Sequence, residues 1–133
     1  MRYLSRCYEA KGEKEEAKIW LFRAIAECPD VREPYFYMVQ LGYRQKEWPL
    51  VYAMVEKGLA ITQRSGSYLV QPECWGEQLY DYGAISAFHM ELYDKALDYE
   101  RKACEISPDN ERLKTNLKFI SQKIAELSAE EVH

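Results

Sequence analysis

The sequence has no apolar run long enough to cross a membrane, since such a span needs roughly 18 consecutive apolar residues. It also has no CxxC pair among its four cysteines, Cys7, Cys28, Cys74 and Cys104, so neither a zinc knuckle nor a redox motif is indicated. We expect reduced, mostly buried thiols. The N-terminal residues show neither a secretory signal nor a lipidation motif, which predicts a cytoplasmic protein.

Groups that carry out chemistry are scarce. The six glycines form no GxGxxG or P-loop pattern, so nucleotide binding has no support. The one internal histidine, His89, is expected to be a partly buried ring or a binding contact rather than a general base. Asp94 and Asp98 are four residues apart, but Asp98 also precedes Lys102 by four, which favours an ion-paired surface. We therefore predict no catalytic residue, no metal and no cofactor.

Length and charge limit the remaining classes. The 133 residues are enough for one domain with its own core. The 18 Lys and Arg against 22 Asp and Glu give a net charge of −4, which argues against a chain that coats phosphate backbones. We expect no binding to nucleic acid or to membranes, and a protein or peptide as partner.

Small and apolar residues recur at a fixed interval. Moving Ala17, Leu21 and Ala24 by 34 positions brings them onto Val51, Val55 and Gly58. A third copy is carried by Ala96, which lies 45 residues after Val51, one period plus eleven. An insertion must therefore separate the second copy from the third. Its residues, 62–76, combine a flexible turn with apolar side chains. We expect a compact loop that fills the gap between helix pairs, with a ligand site as the alternative.

Proline and acidic residues mark the helix starts. Pro34 and Pro49 fit the first turns of two helices, and Asp30, three residues before Glu33, resembles a capping box. Asp109 or Asn110 is expected to cap the last helix. The run 35–43 has the composition of a strand, but the repeat interval favours a helix there.

The last predicted helix, about 111–127, has one apolar stripe formed by Leu113, Leu117, Ile120, Ile124 and Leu127. We interpret it as a capping helix that covers the end of the stack. A coiled-coil dimerisation stripe is the alternative. The tail, 128–133, is expected to fray.

Taken together, these pieces resemble the tetratricopeptide repeat (TPR). The matching residues are Leu4, Tyr8, Gly12, Ala17, Ala24 and Pro29, then Tyr35, Met38, Trp48, Val51 and Gly58, then Tyr80, Tyr93, Ala96, Ala103 and Pro108. The resemblance implies an all-α fold, a TPR-like superhelix of three helix pairs at about 1–31, 32–61 and 77–110. The insertion loop 62–76 and the capping helix complete the predicted domain, 1–127.

A narrower resemblance spans nearly the whole chain. The segments 32–35, 46–48, 68–76, 80–81 and 112–117 are similar to TPR regions found C-terminal to family 2 glycosyltransferase domains. No metal-binding DxD motif occurs, so the resemblance implies a non-catalytic accessory region.

The TPR resemblance assigns the concave, partner-binding face to the first helix of each pair. The candidate contacts on that face are Arg2, Arg6, Glu9, Phe36, Gln40, Tyr43, Arg44, Asp81, Ile85, Phe88 and His89. Aromatic rings and guanidinium groups often dominate interface energies. As an alternative, the rings of Phe36, Tyr43 and Phe88 pack between helices.

Three functions follow, in order of preference. The first is an interaction scaffold, as the accessory TPR region of a glycosyltransferase. The second is a self-assembling adaptor that stacks through its N-terminal helix, where Leu4 and Cys7 would be uncovered. The third is a stand-alone enzyme.

Overall fold

The computed structural model describes residues 14–62 and 72–132, which form six α-helices. The helices are α1 (Lys14–Glu27), α2 (Glu33–Arg44), α3 (Trp48–Leu59), α4 (Glu77–His89), α5 (Tyr93–Ile106) and α6 (Glu111–Val132). One 3-10 turn, Pro72–Trp75, precedes α4. No strand occurs within these two ranges, so the predicted all-α class is confirmed, and the run 35–43 is helical.

Each helix packs against the next one along the chain. The core between them contains the small and apolar residues of the repeat pattern, among them Ala17, Leu21, Val51, Val55 and Ala96. The odd-numbered helices also contact one another: Lys18 of α1 binds Glu47 at the start of α3, and Tyr99 of α5 donates its hydroxyl proton to Glu56 of α3. Contacts between α2, α4 and α6, described below, form a second layer.

The turns from α2 to α3 and from α4 to α5 have the same backbone geometry. Lys46 and Glu91 each have a left-handed φ, 57° and 63°. The amide that follows each donates back across the turn, from Glu47 to Gly42 at 2.9 Å and from Leu92 to Ala87 at 2.8 Å. A left-handed residue followed by this hydrogen bond is the Schellman motif, a common C-terminal end of helices. The two turns are 45 residues apart, which is also the separation of Val51 and Ala96. The backbone conformation therefore repeats at the same interval as the sequence pattern.

Three of the predicted helix starts can be compared with the structure. Pro34 and Pro49 lie in the first turns of α2 and α3, as predicted. Asn110 caps α6, because its side-chain oxygen accepts the amides of Arg112 and Leu113 at 3.0 and 3.3 Å. The capping box at Asp30 is wrong, since α2 begins at Glu33 and its N-cap position is occupied by Arg32.

The helix α6 is longer than the range 111–127 expected for it. It continues to Val132, and residues 128–132 contain neither glycine nor proline to end it. Its apolar stripe faces the rest of the chain, with Leu113 and Ile120 buried and Ile124 packed on the core. The stripe therefore stabilises the intramolecular packing of α6.

One side chain holds both ends of the insertion. The Nε of Arg32 donates to the carbonyl of Ile61 at 2.9 Å, and its Nη1 donates to the carbonyl of Cys74 at 3.1 Å. The guanidinium carbon also lies 3.8 Å from the centre of the Trp75 ring. Residues 63–71 lie outside the described ranges, but the end of the insertion at Pro72–Trp75 packs onto the helices, with Cys74 fully buried.

The described cysteines are all free thiols, which agrees with the expectation of reduced residues. Cys74 is buried and Cys104 is partly buried, whereas Cys28 is exposed, so the expectation of burial is wrong for Cys28. Cys7 lies outside the described residues.

Three helices approach one another closely at Gly83, which gives a first prediction. A Cβ at this position would lie 2.9 Å from Cγ1 of Val55 and 3.0 Å from the ring of Tyr99. Glycine to alanine in an open helix interior stabilises by up to about 1 kcal/mol. We expect Gly83→Ala instead to lower the free energy of unfolding by about 1–3 kcal/mol, because the core is overfilled.

Urea denaturation followed by circular dichroism measures this change. The matched control is Gly76→Ala, where the nearest atom to an added methyl is 4.0 Å away. It should cost less than about 1 kcal/mol, the usual loss at an N-cap. A Gly83→Ala variant as stable as the parent would contradict the close packing of α3, α4 and α5.

Candidate partner-binding face

Side chains of α2, α4 and α6 meet on one side of the molecule. The rings of Tyr43 and Tyr82 join α2 to α4 with centroids 5.0 Å apart, and those of Phe88 and Phe119 join α4 to α6 at 5.4 Å. Helical spacing places further residues beside these. We call this surface the even-helix face and define it by Gln40, Tyr43, Arg44, Tyr82, Ile85, Phe88, His89, Arg112, Asn116 and Phe119, with Trp48 at its edge.

The residues predicted to bind a partner differ in exposure. Arg44 and His89 are exposed, and Gln40, Tyr43, Ile85 and Phe88 are partly buried. Phe36 and Asp81 are only 1% and 5% exposed, so neither side chain is open to a partner. The ring of Phe36 packs against Tyr82. For Phe36 the structure therefore agrees with the alternative given above, in which the ring packs between helices. Arg2, Arg6 and Glu9, and also Leu4 and Cys7 of the self-assembly hypothesis, lie outside the described residues.

An aromatic chain crosses the even-helix face. Tyr43 contacts Tyr82 and, at 5.7 Å between centroids, Trp48. Trp48 in turn stacks on His89, with centroids 4.1 Å apart and planes within 2° of parallel. Edge-to-face and stacked contacts of this kind stabilise aromatic pairs by about 0.5–1.5 kcal/mol. The rings therefore form a rigid, partly exposed surface that is already ordered without a partner.

A buried carboxylate lies beneath this surface. Oδ2 of Asp81 accepts a hydrogen bond from Nη1 of Arg112 at 2.8 Å, and Oδ1 accepts a longer one from Asn116 at 3.5 Å. Asp81 belongs to α4, whereas both donors belong to α6. The ion pair therefore fixes the first turns of α6 against α4.

Glu100 of α5 adds a second carboxyl group to the same cluster. Its side chain is fully buried, and neither of its oxygens accepts a hydrogen bond from the described residues. Burial, and next the negative charge of Asp81, raise the pKa of Glu100 to about 9, although Arg112 acts in the opposite direction. A carboxyl group with this pKa is neutral at pH 7, and as a carboxylic acid Glu100 carries a proton rather than a second negative charge beside Asp81.

Sequence reasoning missed the contribution of α6 to this face. Only its apolar stripe was interpreted, yet Arg112, Asn116 and Phe119 follow the spacing i, i+4 and i+7 on a neighbouring side of the same helix. That spacing was a usable signal.

Metal and membrane sites are not found in the part of the chain that the structure describes. No group of three or more His, Cys, Asp or Glu side chains there is arranged to hold a metal ion. None of its helices combines the length and the apolar character that crossing a bilayer requires.

Comparison with known proteins does not assign a family. No family model matches the chain, and no curated protein matches it significantly.

The neutral state of Glu100 leads to a prediction about pH. Its pKa is raised from 4.5 in the unfolded chain to about 9 in the folded protein, so the folded state holds the proton more tightly. The stability that this proton contributes is complete below pH 4.5 and is lost as the pH rises toward 9. Because glutamine does not ionise, Glu100→Gln should remove this loss, so the stability of the variant relative to the parent should increase as the pH is raised from 5 to 8.5.

Urea unfolding of both proteins between pH 5 and pH 8.5 measures the difference. The control is Glu105→Gln, an exposed position on the same helix, which should keep the parent's pH profile. If the free energies of unfolding of the parent and of Glu100→Gln change with pH in parallel across this range, Glu100 does not titrate as inferred.

Proposed function

We propose that this protein is a non-catalytic interaction module whose even-helix face binds a segment of a partner protein. The observation that supports this most directly is the aromatic chain of Tyr43, Trp48, Tyr82, Phe88 and His89. Its rings contact one another; His89 is exposed and the other four residues are partly buried. Tryptophan and tyrosine are enriched among the residues that dominate binding energies, since rigid rings bury much area at little entropic cost.

The proposed architecture is a TPR-like array of helix pairs. Sequential packing of the helices supports it, and so do the matching turns after α2 and α4. In such arrays each pair contacts its neighbours, and alternate helices line one extended surface. The even-helix face is the corresponding surface here.

The glycosyltransferase association belongs to the same proposal and depends on the sequence resemblance alone. In this version the chain is the accessory region of such an enzyme and holds an acceptor, a partner or a second subunit near the catalytic domain. Reading the parent gene tests it. A parent gene without any glycosyltransferase domain would remove the association and leave the interaction module.

Binding through the aromatic chain can be tested by selecting short peptides from a random library against the intact protein. We expect Trp48→Ala to weaken binding of the selected peptides by about tenfold or more, because a ring of this kind contributes roughly 2 kcal/mol when buried at an interface. Fluorescence anisotropy gives the dissociation constants.

The matched control is Trp20→Ala, which removes a partly exposed tryptophan on α1, outside the face. Binding to this variant should stay within about twofold of the parent, and circular dichroism should show both variants folded. If no peptide is selected, or if Trp20→Ala weakens binding as much as Trp48→Ala, the even-helix face is not the binding surface.

A further inference from the structure

Arg112 is the most exposed charged group at the α6 side of the even-helix face. Its side chain is 59% exposed, although its Nη1 is bound to Asp81. The guanidinium group has five N–H donors, and within the described residues only the Nη1 donor makes a hydrogen bond. Of the four remaining donors, the one on Nε and the two on Nη2 point away from this bond and can serve a second acceptor.

Two carboxyl groups lie behind Arg112, those of Asp81 and Glu100, and only Asp81 forms an ion pair with it. Arg112 forms its ion pair with Asp81, at 2.8 Å, whereas the pKa of Glu100 is raised by its burial and by the charge of Asp81. The hydrogen bond to Asp81 raises the pKa of Arg112, although partial burial acts in the opposite direction. Asp81 directly precedes Tyr82 of the aromatic chain on α4, so the ion pair holds Arg112 beside the residues that carry this chain.

The charge of the even-helix face differs from that of the whole chain. The chain carries −4, but the charged groups that this face exposes are the guanidinium groups of Arg44 and Arg112, whereas Asp81, the carboxylate paired with Arg112, is only 5% exposed beneath it. Glu47, next to Trp48, is bound to Lys18 at 2.6 Å. A surface with cationic groups beside rigid rings is complementary to a segment that carries carboxylates beside apolar side chains.

We propose that Arg112 binds an Asp or Glu side chain of the partner, and that the partner segment is an acidic peptide whose neighbouring apolar side chain packs on Tyr43 and Trp48. A guanidinium group can bind one carboxylate at each of two edges, because its N–H donors point in fixed, separate directions. Asp81 occupies one edge and fixes the orientation of the group, so little entropy is lost when the second carboxylate binds. This inference depends on the proposed function.

The test uses two libraries of random short peptides, one amidated at the C-terminus and one with a free carboxylate. Peptides selected against the parent protein should be enriched in Asp and Glu in both libraries. Changing the acidic residue of a selected peptide to its amide should weaken binding to the parent by about tenfold. The same change should have little effect on binding to Arg112→Gln.

Arg112→Gln leaves Asp81 buried without its charged partner and can lose stability for that reason alone. The double variant Asp81→Asn/Arg112→Gln replaces the ion pair by a neutral hydrogen-bonded pair, and it should lose the preference for acidic peptides while staying folded. The control is Arg101→Gln, an exposed arginine of α5 outside the face, which should keep the preference.

Different failures separate this inference from the function on which it depends. If selected peptides need Trp48 but show no preference for acids, or if the preference survives in the double variant, the role of Arg112 is overturned and the interaction module stands. Binding confined to free C-terminal carboxylates would overturn the assignment to Asp and Glu side chains. If neither library yields a binder, both the proposed function and the role of Arg112 fall.

Discussion

A buried negative charge at the junction of three helices organises the C-terminal half of this protein. Asp81 is 5% exposed, and an ionised carboxylate in such a place must be compensated or it destabilises the fold by several kcal/mol. Arg112 of α6 supplies the opposite charge, and the pKa of the neighbouring Glu100 of α5 is raised to about 9, so that a second negative charge is avoided at pH 7. The requirement to satisfy Asp81 therefore couples the positions of α5 and α6 to α4. It also directs the Arg112 side chain along the even-helix face.

Features that depend on local chemistry could be predicted from the sequence. Pro34, Pro49 and Asn110 act on the backbone within one turn of their own positions, and each lies at a helix start. The interval of 45 residues between Val51 and Ala96 reappears as the separation of the two matching turns, at Lys46 and Glu91. The prediction at Asp30 was wrong because a capping pattern shows that a cap is chemically possible but not where the helix begins.

Features that depend on contacts between distant residues could not be predicted in this way. The helical period places Phe36 on the same side of α2 as Tyr43, but how deeply the ring is buried depends on Tyr82, which comes from another helix. Glu100 is an ordinary acid in the sequence. Its neutrality follows only once Asp81 and Arg112, 19 residues before it and 12 after it, are brought against it. The candidate face was therefore predicted on α2 and α4 and missed on α6.

The ionisation of Glu100 is the central claim about this junction, and carbon-13 NMR of its side-chain carboxyl carbon measures it directly. The resonance is assigned as the one absent from the spectrum of the glutamine variant, and its chemical shift is followed with pH. We predict a neutral carboxyl group at pH 7 that ionises with a midpoint of about 9. A midpoint near 4.5, the value for a solvated glutamate, would contradict the account of how the three helices meet.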